Sequence, residues 1–320
     1  MSFKTGSKQA TSLSIWLAML SIYIVWGSTY LAIRFAIETL PPFLMAAARF
    51  LIAGVILYIF TRLRGAPKPT KIEWRSASIV GLFLLLGGNG LVVWAEQRVA
   101  SSVAALMIAT VPLWIILLDT VRPGGQRPNK ITILGVLGGM VGLVLLVGPS
   151  GLGGERVDLI GAGSLVVASL LWSIGSLYSR TARLPDTPLL GTGMEMLAGG
   201  AGLLILGTIL GEWSQVNFTQ VSARSMWSLG YLIAFGSLVG FASYTWLLRV
   251  APTPLVSTYA YVNPMVAIFL GNLLANEPLT PRVLMSAAVI IGSVALITAA
   301  QPVRRRVMDR QAAPVSTGDD

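Results

Sequence analysis

Ten apolar runs, each about 20 residues long, follow one another along this chain, and a bilayer core about 30 Å thick needs an apolar helix of that length. Charged residues make up 11% of the 320 residues. In a typical soluble domain they make up about 25%. The sequence therefore predicts an all-α membrane protein, surrounded by lipid, with ten transmembrane helices at residues 14–33, 42–61, 77–95, 100–118, 131–148, 159–179, 189–210, 226–248, 254–275 and 283–299.

Two residue types that carry much of enzyme chemistry are missing from the sequence. The chain has no cysteine and no histidine, which excludes disulfides, thiolate nucleophiles, Ser-His pairs and imidazole metal ligands. It also has no phosphate-binding GxxxxGKS or GxxxxGKT loop. We therefore predict no catalytic residue, no metal and no cofactor. A membrane-embedded enzyme, the alternative from another class, would need a carboxylate cluster such as DDxxD, which the sequence lacks.

Lysine and arginine are distributed unevenly between the gaps that separate the runs. The two tails and the gaps after runs two, four, six and eight carry 17 of the 23 basic residues. The other gaps carry five, and Arg49 lies inside a run. Because basic residues favour the cytoplasmic side, both termini are predicted to be cytoplasmic. The same distribution accounts for the net charge of +10 without a nucleic-acid partner.

An internal repeat relates the two halves of the chain at an offset near 150. The matched residues are Trp26 with Trp172, Arg34 with Arg180, Pro42 with Pro188, Arg49 with Glu195, Gly54 with Gly200, Arg98 with Arg249, Pro112 with Pro264 and Gly142 with Gly292. Each half holds five predicted helices, and five is odd, so the second half must enter the membrane from the opposite side. Such inverted repeats are typical of secondary transporters, which bind substrate near the midplane between the halves.

The repeat also predicts the domain organisation. The segments are a cytoplasmic tail at 1–13, a first repeat at 14–148, a linker at 149–158, a second repeat at 159–299 and a basic, disordered tail at 300–320. A duplication without transport is the alternative. An oligomeric state does not follow from these patterns.

Several short motifs occur in both halves of the chain. They are Trp26-Gly27-Ser28-Thr29-Tyr30, Arg49-Phe50, Gly88-Asn89-Gly90, Ala95-Glu96, Ala109-Thr110-Val111-Pro112, Glu195-Met196-Leu197, Tyr259-Ala260-Tyr261-Val262-Asn263-Pro264 and Asn276-Glu277-Pro278-Leu279-Thr280. These motifs resemble the EamA-type members of the drug/metabolite transporter superfamily, and most closely the YedA-like branch of inner-membrane permeases, although Asn276-Glu277 replaces the usual Gly-Glu. The resemblance covers about residues 12–300. It implies a ten-helix exporter of amino acids, metabolites or drugs in a bacterial-type plasma membrane, and it implies no particular substrate.

Three charged residues are candidates for ion coupling or substrate charge. Arg49 and Glu195 are the two charged residues inside the predicted spans. A charge in the hydrocarbon core is unfavourable, so the default hypothesis is that such a residue has a function. Each of the two lies seven residues after the proline that opens its span. At 1.5 Å per residue, this places Arg49 and Glu195 about 10 Å below opposite faces of the membrane, so a direct salt bridge between them is not expected. Glu96 follows the third span, where it either titrates at a vestibule rim or pairs with Arg98. If no carboxylate couples transport to protons, the chain is a passive facilitator.

Aromatic and amide side chains near the middle of the predicted spans form the candidate substrate site. An interfacial belt explains tryptophans at helix ends and not at mid-depth, although helix packing is an alternative. Pro112 and Pro264 each free a backbone carbonyl inside a span and are candidate hinges. The candidates for binding a small-molecule substrate are Trp26, Tyr30, Asn89, Trp94, Trp172, Tyr259 and Asn263.

Overall fold

A computed structural model describes residues 11–122, 128–148, 157–217 and 219–300. This part of the chain is helical and contains no strand, which confirms the all-α prediction. The predictions for the linker at 149–158 and for the two tails fall almost entirely outside the described residues.

Ten apolar helices make up the described fold, and we number them in chain order. They are α1 (Ser12–Ala36), α2 (Pro42–Leu63), α3 (Lys71–Ala95), α4 (Ser101–Val121), α5 (Lys130–Val147), α6 (Leu159–Ser179), α7 (Pro188–Ile209), α8 (Ala223–Val250), α9 (Tyr259–Ala275) and α10 (Pro281–Ala300). Nine of these are long and apolar enough to cross a membrane, and α9 is shorter.

The ninth span differs from its predicted bounds. The sequence predicts a helix over 254–275, whereas a single helical turn at Thr253–Val256 ends before α9 begins at Tyr259. Ser257 and Thr258 form a turn between these two pieces. The apolar run is therefore continuous in sequence, but its helix is interrupted near one end.

Local sequence signals explain where most of the helices begin. Proline occupies a first-turn position of α2 and α7, where its missing N–H leaves no bond unmade. Thr70 and Glu73 form a capping box at the start of α3. The side chains of Asn129 and Asp158 accept hydrogen bonds from the first turns of α5 and α6.

Two helices contain a wider, π-helical segment at matching positions of the two halves. In α3 this segment is Leu82–Asn89, and in α8 it is Leu232–Val239, an offset of 150 residues. π-helical turns inside α-helices are rare and frequently lie at functional sites. Asn89, a candidate for substrate binding, ends the first of these segments, and the sequence predicts neither segment.

The fourth helix is also interrupted. Its first piece ends at Ile108, and the second begins at Val111 with Pro112 in its first turn. Pro112 therefore starts a helical piece and does not kink a continuous helix. Pro264, by contrast, lies inside α9.

Helices α2 and α7 cross in close contact and run antiparallel. A Cβ added at Gly54 would lie 3.0 Å from the backbone nitrogen of Leu197, and one added at Gly200 would lie 3.0 Å from that of Leu51. Farther along the same pair, Leu44 lies beside Gly207. Only a missing Cβ on each side lets the two backbones approach this closely.

The other helix contacts follow a matching pattern in the two halves. Helix α1 packs on α8 and α9 of the second half, while α6 packs on α3 and α4 of the first half. Helix α5 packs on α10. Because α1 corresponds to α6, α3 to α8 and α4 to α9, exchanging the halves reproduces these contacts.

The helix bundle has two ends with different contents. One contains the C-terminus of α1, the N-termini of α2 and α4 and the loop with Glu277, and we call it the Glu277 end. The other contains Ser12 and Ala300, and we call it the terminal end.

Candidate functional site

Trp26 lies in a cluster of aromatic rings supplied by three helices. Its ring centroid is 5.3 Å from that of Phe241, 5.2 Å from that of Tyr244 and 5.3 Å from that of Tyr259. Its indole N–H donates to the carbonyl oxygen of Gly236, inside the π-helical segment of α8, at 3.2 Å. The structure thus brings Trp26 and Tyr259 together at a backbone irregularity. These rings are in mutual contact, as the packing alternative also expects.

Asn263 and Tyr30 adjoin this cluster. Asn263 is buried, and with its amide oriented to donate, its nitrogen lies 3.2 Å from the Tyr259 carbonyl oxygen and 3.3 Å from that of Tyr23. The Tyr23 hydroxyl in turn bonds that of Thr258. Tyr30 interacts electrostatically with Tyr259 and with Glu96. Four of the predicted substrate-binding residues therefore lie in one region: Trp26, Tyr30, Tyr259 and Asn263.

The remaining predicted residues lie around α3. The ring of Trp172 packs against Gly88, where an added Cβ would lie 2.8 Å from its Cε3 atom. The side-chain oxygen of the neighbouring Asn89 is buried and has no hydrogen-bond partner among the described residues. Trp94 lies below the Arg98 guanidinium, 4.9 Å from ring centroid to Cζ. Each tryptophan of the repeat pair thus contacts a π-helical segment of the other half.

Arg49 is buried and binds the same π-helical segment as Trp26. Its Nε donates to the Ser237 hydroxyl at 3.0 Å, and its Nη1 has no partner among the described residues. Arg49 also interacts electrostatically with Glu96. A buried guanidinium with a free N–H retains the capacity to bind an oxygen ligand.

Glu195, the repeat equivalent of Arg49, lies next to α3. The Gly81 position is so close that an added Cβ would clash with the Glu195 backbone. No described residue offers its half-buried carboxylate a hydrogen bond or an ion pair. No ion pair joins it to Arg49.

Glu96 is buried, and the rim position expected from the sequence is wrong. The carboxylate is 2% exposed, and neither oxygen accepts a hydrogen bond of normal geometry from the described residues. The expected partner, Arg98, instead lies 3.8 Å from the Asp158 carboxylate. Since α3 ends at Ala95, the chain turns Glu96 inward and Arg98 outward.

Two buried carboxylates that sequence reasoning missed join the halves at the Glu277 end. Glu277 accepts four hydrogen bonds, from the backbone N–H and hydroxyl groups of Ser101 and Ser102, at 2.5–3.0 Å. Glu212 accepts from the backbone N–H groups of Phe43 and Leu44, at 3.2 and 2.8 Å. Each carboxylate therefore caps the N-terminus of a first-half helix, α4 or α2, where orphan donors and the helix dipole favour an anion.

Two cavities lie away from the aromatic cluster. One, of about 340 Å³, is at the Glu277 end and is lined by residues of both halves, including Glu38, Gln97 and Gln220. The other, of about 770 Å³, lies between α4, α5 and α6, and its lining includes Met107, Trp114 and Val166. None of the predicted substrate-binding residues lines either cavity.

Comparison with known proteins identifies the family. The model of the EamA-like transporter family matches residues 13–148 and again residues 159–299. The chain belongs to the EamA-like transporter family. The resemblance drawn from the short motifs is thereby confirmed.

Proteins similar to this EamA-like chain come from distant organisms. It is 38% identical to the protein named uncharacterized inner membrane transporter YedA of Escherichia coli K12, over 88% of this chain and 89% of the relative. It is 26% identical to a WAT1-related chloroplast protein of Arabidopsis thaliana, over 88% and 69%. It is 23% identical to the uncharacterized transporter YoaV of Bacillus subtilis, over 86% and 94%.

A solved structure has the same fold as this EamA-like chain. Titled "Crystal structure of protein", it matches with a TM-score of 0.62 and 21% identity over 91% of this chain and 99% of that one. The multi-span helical fold and the family relationship together identify a multi-pass membrane transporter.

Proposed function

We propose that the chain is a secondary transporter that exports small metabolites, amino acids or drug-like compounds by alternating access. The observation that carries the proposal is the α2–α7 crossing. At the repeat offset of 146, Leu51 and Gly54 correspond to Leu197 and Gly200. The two close contacts, Leu51 with Gly200 and Gly54 with Leu197, are therefore exchanged when the halves are exchanged.

This exchange supports an inverted repeat of five plus five helices. An antiparallel pair of equivalent helices is related by a two-fold axis perpendicular to both of them. If both helices cross the membrane, that axis lies in the membrane plane. The double family match and the paired π-helical segments agree with this arrangement. Two equivalent halves of opposite orientation can open alternately to either side.

The terminal end is proposed to face the cytoplasm, on the basis of the basic residues. Fusions at the C-terminus should be active with a cytoplasmic reporter and silent with a periplasmic one. The reverse pattern would overturn the orientation.

The substrate is proposed to contact the tryptophan pair and the two π-helical segments. Trp172→Ala in liposomes should reduce counterflow of labelled apolar amino acids severalfold at unchanged protein content. Trp227→Ala is the matched control, because Trp227 is 81% exposed on α8. If both variants transport every tested compound at the wild-type rate, Trp172 serves packing alone.

Proton coupling by a buried carboxylate is proposed over passive facilitation because Glu195 lacks a partner. Glu195→Gln should abolish accumulation driven by a pH gradient and leave counterflow intact, since counterflow requires only alternating access. A wild-type protein that ignores an imposed pH gradient would instead be a facilitator.

A further inference from the structure

Glu96 is chemically unlike the other buried acids at the same end of the bundle. Glu277 accepts four hydrogen bonds and Glu212 accepts two, so both are satisfied as anions. Glu96 is equally buried but accepts none of normal geometry. An ionised carboxylate without donors is strongly disfavoured away from water, whereas the neutral acid is not.

Four side chains interact electrostatically with Glu96, and the Arg34 backbone also interacts with its carboxylate. Tyr30 and Arg34 come from α1, Arg49 comes from α2, and Glu277 comes from the loop after α9. The two arginines attract an ionised Glu96, and Glu277 repels it. Among the described residues, no three acidic side chains gather around Glu96.

Both arginines also contact the second half of the chain. Arg34 Nε lies 3.9 Å from Glu277 Oε1, and Arg49 Nε donates to Ser237 at 3.0 Å. An ionised Glu96 competes for these arginines and repels Glu277, so it weakens contacts between the halves. A protonated Glu96 does neither.

We propose that Glu96 is a proton-binding switch that holds the Glu277 end closed when protonated and lets it open when ionised. The proposal rests on the alternating access of the proposed function and adds the residue that controls one end. Opening admits water to the carboxyl group, which stabilises its anion, so opening releases a proton and closing takes one up. Acidic pH therefore favours closure.

The switch has a direct connection to the aromatic cluster. Ser237, the acceptor for Arg49, follows Gly236, whose carbonyl oxygen accepts the Trp26 indole N–H. A change in the partner of Arg49 therefore acts on the backbone that positions Trp26. This connects the protonation state of Glu96 to the candidate substrate site through one side chain and two adjacent residues.

Distance measurements across the Glu277 end test the proposal without a substrate. The natural sequence has no cysteine, so spin labels at Gln97→Cys and Gln220→Cys are specific. Both residues are exposed, come from different halves and line the same cavity. In lipid nanodiscs, the labelled protein should populate a shorter distance as the pH is lowered. Glu96→Gln, which mimics the neutral acid, should give the short distance at every pH.

Glu38→Gln is the matched control, since Glu38 is an exposed acid at the same end that pairs with Arg224 of the second half at 3.2 Å. It should follow the wild-type pH response. A pH-independent wild-type distance, or an unchanged response in Glu96→Gln, would overturn the proposal. If Glu96→Gln does not yield monodisperse protein, Glu96→Asp keeps the carboxyl group and should retain the response with a displaced midpoint. The absence of any response in folded Glu96→Asp would count equally against the switch.

Infrared titration provides an independent readout. A component of the protonated-carboxyl absorption that rises over the same pH range as the distance change should appear in the wild type and be missing from Glu96→Gln, while any component from Glu195 remains. Loss in Glu195→Gln alone would assign the titrating group to Glu195 and contradict the proposal. Neither measurement requires transport, so a protein that moves no substrate in liposomes would refute the proposed function without affecting these results.

Discussion

The two ends of the bundle are closed by different chemistry. At the Glu277 end, two carboxylates of the second half cap helices of the first half. At the terminal end, the equivalent helices α7 and α9 begin after Thr187 and Thr258, whose own side chains make no capping hydrogen bond. That end is held by an apolar cluster whose fully buried members are Met19, Ile22, Leu247 and Val256.

The hydrogen bonds at the Glu277 end depend on direction, whereas the apolar contacts at the terminal end do not. Hydrogen bonds to helix N-termini require both partners at set distances, so a small displacement of the halves breaks several at once. Apolar contacts weaken gradually and do not depend on protonation. The Glu277 end is therefore the end at which a proton or a substrate charge can control opening.

Among the variants that test this difference between the ends, Glu277→Ala should have the largest effect on stability. It leaves two backbone N–H groups and two hydroxyls at the start of α4 unpaired in a buried site. We expect a loss of about 4 kcal/mol of stability, at 1–3 kcal/mol per buried unpaired donor with some rearrangement. Thermal unfolding in detergent checks the loss, and the Gln97–Gln220 distance should lengthen.

Glu212→Ala, which removes the other capping carboxylate, should lower stability less than Glu277→Ala does. It removes two hydrogen bonds and not four, so we expect a loss of about 2 kcal/mol. An equal or larger loss than in Glu277→Ala would contradict the assignment of Glu277 as the main closure.

Leu247→Ala should weaken the terminal end by a packing effect alone. Leu247 is fully buried, and its truncation leaves a cavity that costs about 3 kcal/mol. The Gln97–Gln220 distance should not lengthen, because loosening the terminal end favours the state in which the Glu277 end is closed. Its neighbour Leu248, 39% exposed, provides the control, and Leu248→Ala should be near neutral. A lengthened distance in Leu247→Ala would mean that weakening the terminal end also opens the Glu277 end, which would contradict alternating access.

Thr187→Asp should produce the smallest change, and in the opposite direction. Aspartate at this uncapped position can accept from the first turn of α7 and complements the helix dipole. The expected gain is about 0.5 kcal/mol. Thermal unfolding of Thr187→Asp beside Thr187→Ala measures it, and a loss in the aspartate variant would show that α7 begins in surroundings unsuited to an anion.

The helical fold follows from the sequence because the apolar length of each run sets the helix it can form. The runs at 42–61 and 189–210 correspond to α2 and α7 within a few residues, and their prolines define the start. The interruption before Tyr259 was not predicted, because no break in hydropathy accompanies it. The π-helical segments were missed for a similar reason: their residues are ordinary apolar and small ones.

The candidate site was predictable only in part. Trp26, Tyr259 and Asn263 were found because large or polar side chains at mid-span stand out in an apolar run. Glu277 was assigned to the gap after the ninth span, where it lies, but the sequence does not show that this loop folds back onto Ser101 and Ser102. The charged groups that interact with Glu96 come from α1, α2 and the loop after α9, which are distant in sequence.

The close crossing of α2 and α7 has a mechanical consequence. The contacts of Gly54 and Gly200 lie near the midpoints of two helices of 22 residues each. About 16 Å of helix therefore extends to either side of the crossing, at 1.5 Å per residue. Each degree of rotation about the crossing point would displace the two ends of a helix by roughly 0.3 Å in opposite directions. Because the helix segments on either side of the crossing are equal in length, a rotation that separates the halves at one face of the membrane brings them together by the same amount at the other face.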